Sequence, residues 1–556
     1  MKVSFRKFFT AAAAVVLTLG MTMPACACTG VYIGSEASVD GTILLARSND
    51  HSGVAGNYLI VVDSVENEPG RTMPVDNGDS IFAPIPSHTY HYTATPFMKS
   101  GASVLRAERD AAACTNECGV AITMSITAFA RPEALAADQE PDDGLTEATA
   151  DELVICQSST AREAVEVLCG LIDTYGSSES NIAMIADQDE AWYVEMYTGH
   201  QYAAVKLPAD KAAVFGNEFS LEYLSDYEES IASPKLESLA ADNGFAVYGD
   251  NGELNLRKTY SVDFFEYSHM RTWIGHEVLA PGSCGDYSTE AVYPLTFTPA
   301  EKVSLQDVME LMRNRYEGTG YSPDETGRTD MRVIGTDAAM SVHVLQVYPD
   351  LPAEMACVTW ESSGPAIYGV FVPLSNICTK PSASYGLDQS ADEIGKFDYL
   401  NYPYYAFKGL NTLCMADYRV YGIPVRSYWK TAETNMIDAM ARLLKQSAKA
   451  DHSTAEALIT AYCTQVQEQA FSDAKSLFND VLWYQSRNSN TIKYDIDPET
   501  FKSHDSPRVI EPMTVTLDAS SYANIPGSTA GRKLYIGEPG LYRCFTDRTL
   551  GFNRFR

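Results

Sequence analysis

The segment from Cys28 to Asp50 constrains the fold of this chain more than any other stretch. It contains two β-prone runs, CTGVYI and TILLAR, separated by the turn signal DG. The sequence therefore predicts a β-hairpin. Folding back at this turn brings Cys28 level with roughly residues 50–53, and it places Arg47 and Asp50 near Cys28.

Residues 1–27 have the features of a secretion signal. A short basic stretch, MKVSFRK, precedes an apolar run over residues 8–23, and the sequence ACA that ends at Ala27 fits the A-x-A cleavage pattern. Cleavage after Ala27 would make Cys28 the first residue and would give a secreted or extracytoplasmic protein. The less favoured alternative is lipidation of Cys26, which would anchor the chain at the cell surface and leave Cys28 internal.

The composition is that of a globular protein with a full-sized core. The chain has 556 residues, of which 45% are hydrophobic and 21% charged, and its formal net charge is −32. A protein with this much negative charge repels nucleic acid and anionic membranes. Neither is therefore an expected partner. No stretch after the signal approaches the 18 apolar residues of a membrane span.

A cysteine at a free N-terminus would carry a nucleophile and a base on one residue. The reference pKa of an α-amine is about 7.7–8.0 and that of a thiol about 8.5, so the amine can take the thiol proton near neutral pH. A neighbouring guanidinium favours a thiolate, and a carboxylate can orient the amine. Arg47 and Asp50 supply these two groups. The spacing therefore predicts a hydrolase active site at Cys28.

Further strand and helix signals occur along the chain. Residues 181–197 predict a second hairpin, and Thr160 and Ser304 each begin a capped helix. Residues 131–152, which are acidic and contain proline, predict a surface loop, with a lid over the site as the alternative. Three further strands are predicted at residues 341–347, 356–360 and 367–372. Strands in both halves with helices between them favour an α+β layered core.

The last part of the chain has a different sequence pattern. Residues 431–449 and 454–488 have helical spacing and predict two helices that pack on the main domain. Residues 505–556 are rich in Pro and Gly, with short β-prone runs at 513–517 and 533–536. They predict a small β appendage.

Several of these segments together resemble the cysteine dipeptidases among the N-terminal-nucleophile (Ntn) hydrolases, relatives of penicillin V acylase and bile salt hydrolase. The resemblance rests on Cys28-Thr29 at a processed start, on ASVDGT and ARSND within the first hairpin, and on the later segments NExGV, GNE, SVHV and WE. It is strong over residues 28–375 and looser over the helices at 431–490. The tail at 505–556 lies outside it.

The resemblance implies an αββα four-layer sandwich and amide hydrolysis through a thioester. It implies that Cys28 is nucleophile and base, that Arg47 and Asp50 tune and orient it, and that Asn217 helps to form the oxyanion hole. Arg271 corresponds to a later arginine of the relatives and is the candidate substrate-binding residue. The second oxyanion position of those relatives falls near residues 125–127, where this chain has no asparagine.

These observations predict a secreted cysteine dipeptidase with no metal and no cofactor, acting on short peptides. The expected domains are a signal peptide (1–27), an Ntn-hydrolase domain (28–430), a helical segment packed on it (431–500) and a β-rich appendage (501–556). One alternative is an acylase of the same fold that cleaves penicillin V or a conjugated bile acid. Another is a non-catalytic surface binding protein. The sequence is compatible with a homo-oligomer.

Overall fold

Two antiparallel sheets stacked face to face form the middle of the structure. The structure is a computed structural model, and it describes residues 28–526 except 52–54, 77, 79, 98–110, 125, 329, 389–395, 491 and 494. The expected signal segment and the β-prone run at 533–536 lie outside the described residues.

The strands and helices follow each other along the whole described chain. In chain order the strands are β1 (Gly30–Ile33), β2 (Ile43–Asp50), β3 (Ile60–Val62), β4 (Val65–Glu66), β5 (Thr72–Pro74), β6 (Phe82–Pro84), β7 (His88–Thr89), β8 (Tyr92–Pro96), β9 (Ala111–Asn116), β10 (Ala121–Thr123), β11 (Asn181–Ala186), β12 (Ala191–Met196), β13 (Tyr202–Lys206), β14 (Ala212–Phe215), β15 (Ser230–Ala232), β16 (Ala339–Val347), β17 (Cys357–Ser363), β18 (Val372–Ser375), β19 (Ile492–Lys493) and β20 (Ser506–Pro507). The α-helices are α1 (Pro132–Ala137), α2 (Glu147–Ile155), α3 (Ala161–Tyr175), α4 (Leu236–Asp242), α5 (Leu256–Tyr260), α6 (Glu266–Leu279), α7 (Leu305–Leu311), α8 (Pro323–Thr326), α9 (Pro403–Met415), α10 (Ile423–Ser447) and α11 (His452–Arg487).

The first sheet is six-stranded in the order β14-β1-β2-β16-β17-β18, and the second is eight-stranded in the order β15-β13-β12-β11-β10-β9-β8-β3. The predicted first hairpin is confirmed, because β1 and β2 pair antiparallel with Gly30 opposite Arg47. Gly41 in its turn has φ +79°, a left-handed conformation that glycine adopts without a steric penalty. The second predicted hairpin is confirmed as β11 and β12.

Successive side chains of a strand point to opposite faces of its sheet, and this divides the buried apolar side chains among three cores. In β2, Leu44 and Ala46 face one core together with residues of α6, α7, α9, α10 and α11. Ile43 and Leu45 face the core between the two sheets. The outer face of the second sheet packs on α2 and α3 through a third core. The predicted α+β class and four-layer αββα order are therefore confirmed.

The helices expected from their caps begin where predicted. The Thr160 side chain accepts from the backbone N–H of Glu163, and Ser304 forms a full capping box with Asp307. The two predicted C-terminal helices are α10 and α11, which begin earlier than expected, at Ile423 and His452. The expected boundary between residues 430 and 431 thus falls inside α10. None of the helices within the described ranges is long and apolar enough to span a membrane.

Three expectations are wrong. Residues 131–152 are not an irregular loop, because α1 and the first part of α2 lie there. Residues 367–372 are not one strand, since a 3-10 turn over Ala366–Tyr368 precedes β18. Residues 513–517 form no strand, although Met513 is buried against the helices. In each case the sequence carries β-prone or polar residues whose local preference is overridden by packing.

Candidate active site

Cys28 lies two residues before β1, at one end of the first sheet. The register pairs Gly30 with Arg47 on β2 and with Phe215 on β14. Continued by two residues, it places Cys28 between Asn49 and Asn217. The sequence-based estimate of residues 50–53 as its neighbours was therefore slightly off. Cys28 is 3% exposed and faces the space between the two sheets.

The Arg47 guanidinium lies beside the Cys28 thiol, inside the sandwich. Its Nη2 is 3.5 Å from Cys28 Sγ and donates to Asn49 Oδ1 at 3.2 Å, while Nη1 donates to the carbonyl oxygen of Ala112 at 3.1 Å. Burial by itself lowers the pKa of Arg47, but the charge of a Cys28 thiolate and the hydrogen bond to it raise that pKa overall. The side chain is thus a permanent cation aimed at the sulfur.

Asp50 is a fully buried carboxylate on the opposite face of β2. Its Oδ2 accepts from Ser48 Oγ at 2.9 Å and from the Arg332 guanidinium. Ser48 Oγ also accepts from the backbone N–H of Thr29 at 3.0 Å. Asp50 Oδ1 has no hydrogen-bond partner in the described part of the chain. Burial raises the pKa of Asp50, and the charges of Arg332 and Arg271 act against that rise.

Arg271 reaches the start of β1 from helix α6. Its Nη1 donates to the carbonyl oxygen of Cys28 at 2.5 Å and to Thr29 Oγ1 at 3.0 Å. Its Nη2 donates to Asn217 Oδ1 at 2.8 Å and to Ser268 Oγ at 3.3 Å. Burial lowers the pKa of Arg271, and the nearby Arg332 lowers it further, although an arginine stays charged in proteins. The expected substrate-binding residue thus contacts the protein around the thiol.

Asn217 follows β14 and has one defined amide orientation. Because Oδ1 accepts from Arg271, the NH₂ group must be the donor, and Nδ2 donates to the carbonyl oxygen of Thr127 at 2.7 Å. The amide has a second N–H in addition to this one. Asn217 is 1% exposed, and the register of β1 with β14, continued by two residues, places it opposite Cys28.

The structure brings all five sequence-predicted residues together, and it adds others that sequence reasoning missed. Arg332 lies 282 residues after Asp50 and carries no motif around it. Tyr267 lies under two cations, with its ring 5.6 Å from the Arg271 guanidinium carbon and 5.8 Å from that of Arg332. In the sequence, nothing marks either residue as part of the site except its side-chain type. Their position depends on the packing of α6 and of the residues before β16.

Two buried titratable side chains lie next to Arg47 on the neighbouring strands. His343 is opposite Arg47 and Glu361 is opposite His343 in the sheet. Burial, followed by the charge of Arg47, lowers the pKa of His343 well below its usual value, and Nε2 is 2.8 Å from Thr123 Oγ1. Burial raises the pKa of Glu361 well above its usual value. Both shifts favour the uncharged form of the side chain, which reduces competition with the sulfur for the Arg47 charge.

The arrangement combines a nucleophile, a cation at its sulfur, a buried carboxylate and an amide donor. Such a set can carry out acyl transfer through a covalent thioester. Within the described ranges, no three His, Cys, Asp or Glu side chains are grouped so that they could hold a metal ion.

Comparisons with known proteins give a consistent family. The model of peptidase family C69 matches residues 27–431. The probable dipeptidase B of Streptococcus pyogenes serotype M6 is 31% identical over 369 residues, covering 63% of this chain and 72% of the relative. The probable dipeptidase B of Lactococcus lactis is 29% identical over 455 residues, covering 80% and 91%.

A more distant relative and one solved structure are also similar. The probable dipeptidase of Salmonella dublin is 28% identical over 376 residues, covering 66% of this chain and 84% of the relative. The crystal structure of a variant of the conjugated bile acid hydrolase from Clostridium perfringens aligns with a TM-score of 0.28 and 10% identity, covering 60% and 89%. The family match covers well over half of the chain, and this protein is therefore a peptidase that belongs to family C69.

Proposed function

We propose that this protein is an exported cysteine dipeptidase in which removal of residues 1–27 frees Cys28 as an N-terminal nucleophile. Its similarity to relatives named probable dipeptidases supports the substrate class. The single observation that carries the mechanism is the 3.5 Å approach of Arg47 Nη2 to Cys28 Sγ at the predicted cleavage point.

The α-amine of a freed Cys28 would have a buried carboxylate as its acceptor. Asp50 Oδ1 has no other partner in the described residues, and Ser48 links Asp50 to the backbone of Thr29. A carboxylate at this point holds the amine in one orientation. In the first step the amine takes the thiol proton, and the thiolate, stabilised by Arg47, forms a bond to the substrate carbonyl carbon.

The negative oxygen of the tetrahedral intermediate then accepts the second N–H of Asn217. When the C–N bond breaks, the ammonium of Cys28 returns its proton to the leaving amine and a thioester remains. Water attacks this thioester and gives a proton to the amine, and the acid product leaves as the thiol reforms. Arg271 takes part by holding the Cys28 carbonyl oxygen and the Asn217 amide, so its role here is to position the reacting groups.

Cys28→Ser tests the assigned nucleophile. We expect the variant to fold and to lose turnover by at least about 1,000-fold, because a hydroxyl is a much weaker nucleophile than a thiolate at neutral pH. Turnover is measured on a panel of dipeptides beside penicillin V and glycine-conjugated bile salts. Unchanged activity would refute the role of Cys28. Hydrolysis of penicillin V or bile salts without hydrolysis of dipeptides would favour an acylase.

Mass spectrometry of the mature protein from the culture medium and from cell fractions tests export and processing. We expect a chain that starts at Cys28 outside the cytoplasm. A chain that retains residues before Cys28, or one that starts at a lipidated Cys26, would overturn the proposed mechanism. A correctly processed protein that turns over none of the substrates would favour a binding protein.

A further inference from the structure

Residues 216–218, which follow β14 and contain Asn217, are bound to helix α6 at several points. The backbone N–H of Gly216 donates to Thr272 Oγ1 at 3.4 Å, and Ser268 Oγ donates to the carbonyl oxygen of Asn217 at 3.3 Å. Thr272 Oγ1 donates to Glu218 Oε1 at 2.6 Å. This short segment is thus held to one face of the helix.

The central contact joins the Glu218 carboxyl group to the His269 ring. His269 Nδ1 lies 3.1 Å from Glu218 Oε1 and 3.2 Å from Oε2. The side chains are 1% and 3% exposed, so solvent does not screen the pair. A carboxylate buried in this way needs a charged or strongly donating partner, because an unpaired charge in a dry interior is costly.

The other side of the His269 ring is also bound. Nε2 lies 2.8 Å from the carbonyl oxygen of Ala291, which can only accept a hydrogen bond. The carboxyl group of Glu218 lies at Nδ1, so both ring nitrogens have an oxygen partner and the ring is fixed in one orientation. It is stacked on Phe264 at 3.9 Å and on Tyr293 at 4.6 Å between ring centroids.

His276 on the same helix provides a contrast. It is also buried and stacked, with its ring centroid 3.9 Å from that of Phe297, but its Nε2 has no partner among the described residues. Burial lowers the pKa of His276 to about 4, and the charge of His269 lowers it as well. Helix α6 thus carries two buried, stacked histidines, and only His269 contacts the segment that contains Asn217.

We propose that Glu218 and His269 are positioning residues that hold the Asn217 amide and the Arg271 guanidinium in register at the oxyanion hole. Glu218 is next to Asn217 in the chain, and His269 is two residues before Arg271 on α6. The contact between Glu218 and His269 therefore supports the 2.8 Å contact between Arg271 Nη2 and Asn217 Oδ1 at both of its ends. This inference rests on the proposed function, which makes Asn217 the oxyanion donor.

The pair should affect one part of the chemistry and leave another unchanged. The contact of Arg47 with Cys28 comes from β2, on the other side of β1. Loss of the contact between Glu218 and His269 should therefore leave thiol reactivity intact while it weakens stabilisation of the tetrahedral intermediate. A displacement of about 1 Å at such a donor is enough to lower turnover about 100-fold.

The experiment compares Glu218→Gln and His269→Gln with the matched control His276→Gln. For dipeptide hydrolysis, we expect the Glu218 and His269 variants to lower kcat about 10- to 100-fold with little change in KM. The rate of Cys28 alkylation by iodoacetamide should stay at the wild-type level in all three variants. His276→Gln should keep the wild-type kcat. An unchanged kcat in the Glu218 and His269 variants, or an equal loss in His276→Gln, would overturn the proposal.

A further variant keeps the proposal testable if the Glu218 or His269 variant fails to fold. Thr272→Val removes the 2.6 Å hydrogen bond from Thr272 Oγ1 to Glu218, and we expect it to lower kcat while the rate of Cys28 alkylation stays at the wild-type level. A wild-type kcat in Thr272→Val would overturn the inference. If Cys28 of the wild-type protein reacts readily with iodoacetamide but the unmodified protein hydrolyses no dipeptide, this would instead contradict the proposed function, independently of the contact between Glu218 and His269.

Discussion

At the level of single residues, the charges around Asp50 are unusual. This carboxylate lies in the fields of two buried guanidiniums, Arg332 in direct contact and Arg271 nearby. Burial alone would favour the neutral acid, so Asp50 depends on these cations to stay ionised. The proposed orientation of the Cys28 amine requires the ionised form. Arg332 therefore acts on the reaction through Asp50.

Arg332→Gln should move the acid side of the pH–rate profile. Removing a cation beside a carboxylate raises the pKa of Asp50, so Asp50 becomes protonated at higher pH than in the wild type. The acid limb of kcat/KM should shift upward by about one to three pH units, because a neighbouring arginine lowers an aspartate pKa by about that amount. The profile is measured with a dipeptide substrate.

Arg328→Gln is the matched control for this shift. Arg328 forms a 2.8 Å ion pair with Asp330 at the surface, four residues before Arg332. Its removal should leave the profile unchanged. A wild-type acid limb in Arg332→Gln would contradict the role assigned to Arg332.

The residues of the site differ in how far sequence alone could locate them. Cys28, Arg47 and Asp50 lie within one hairpin, so the turn between the strands is enough to bring them together. Asn217 and Arg271 were located only through the family resemblance. Arg332 was not found, because its approach to Asp50 depends on packing across 282 residues. Local patterns contain no information about such a contact.

At the level of elements, the approach of α6 to β14 decides whether Arg271 can reach Cys28. Gly275 lies on the helix face that meets the strand. A Cβ at this position would come within 2.2 Å of Val214 Cγ1 and 2.3 Å of Val214 Cβ, so only glycine allows this spacing. The helix can therefore lie close to the sheet, and the Arg271 side chain then reaches the start of β1.

Gly275→Ala should push α6 away from the sheet. We expect a loss of about 1–3 kcal/mol in the free energy of unfolding, the usual cost of overpacking a core, together with a lower kcat as Arg271 moves. Urea unfolding and dipeptide turnover measure the two effects.

Gly170→Ala is the control, since this glycine in α3 has nothing within 4 Å of its Cβ position. It should stabilise the protein by about 0.5–1 kcal/mol and leave kcat unchanged. Equal behaviour of the two variants would refute the role of Gly275.

Elements were predictable where their signals are local. The caps at Thr160 and Ser304 and the turn at Gly41 each depend on a few adjacent residues, and these predictions are confirmed. Helices α1 and α9 were not predicted. Helix α1 is only six residues long, and α9 is buried along much of its length, so neither shows a clear alternation between apolar and polar faces.

At the level of the whole molecule, the C-terminal helices are continuous with the catalytic layers. Glu433 on α10 is 0% exposed and accepts from Arg313, which follows α7. It also accepts from the backbone N–H of Phe371 at 2.9 Å and from Gln306 Nε2 at 3.0 Å. Arg313 in turn donates through Nε to the carbonyl oxygen of Ala366 at 2.8 Å. One buried ion pair thus joins α10 to the residues that lead into β18.

Glu433→Ala should therefore destabilise the molecule as a unit. Removing Glu433 takes the nearer carboxylate from the buried Arg313 and leaves it, among the described carboxylates, only Glu310, at 3.4 Å from Nη1. Because the loss of one partner of a buried ion pair costs about 3–5 kcal/mol, we expect a decrease of up to about that size in the free energy of unfolding. We expect a single urea transition at lower denaturant, with kcat unchanged for the folded protein because Glu433 does not contact the site around Cys28. Asp438→Ala on the exposed face of α10 should change stability by less than about 0.5 kcal/mol. Two separate transitions, with only the first one shifted, would show that the helices unfold on their own and that this ion pair does not couple them to the sheets.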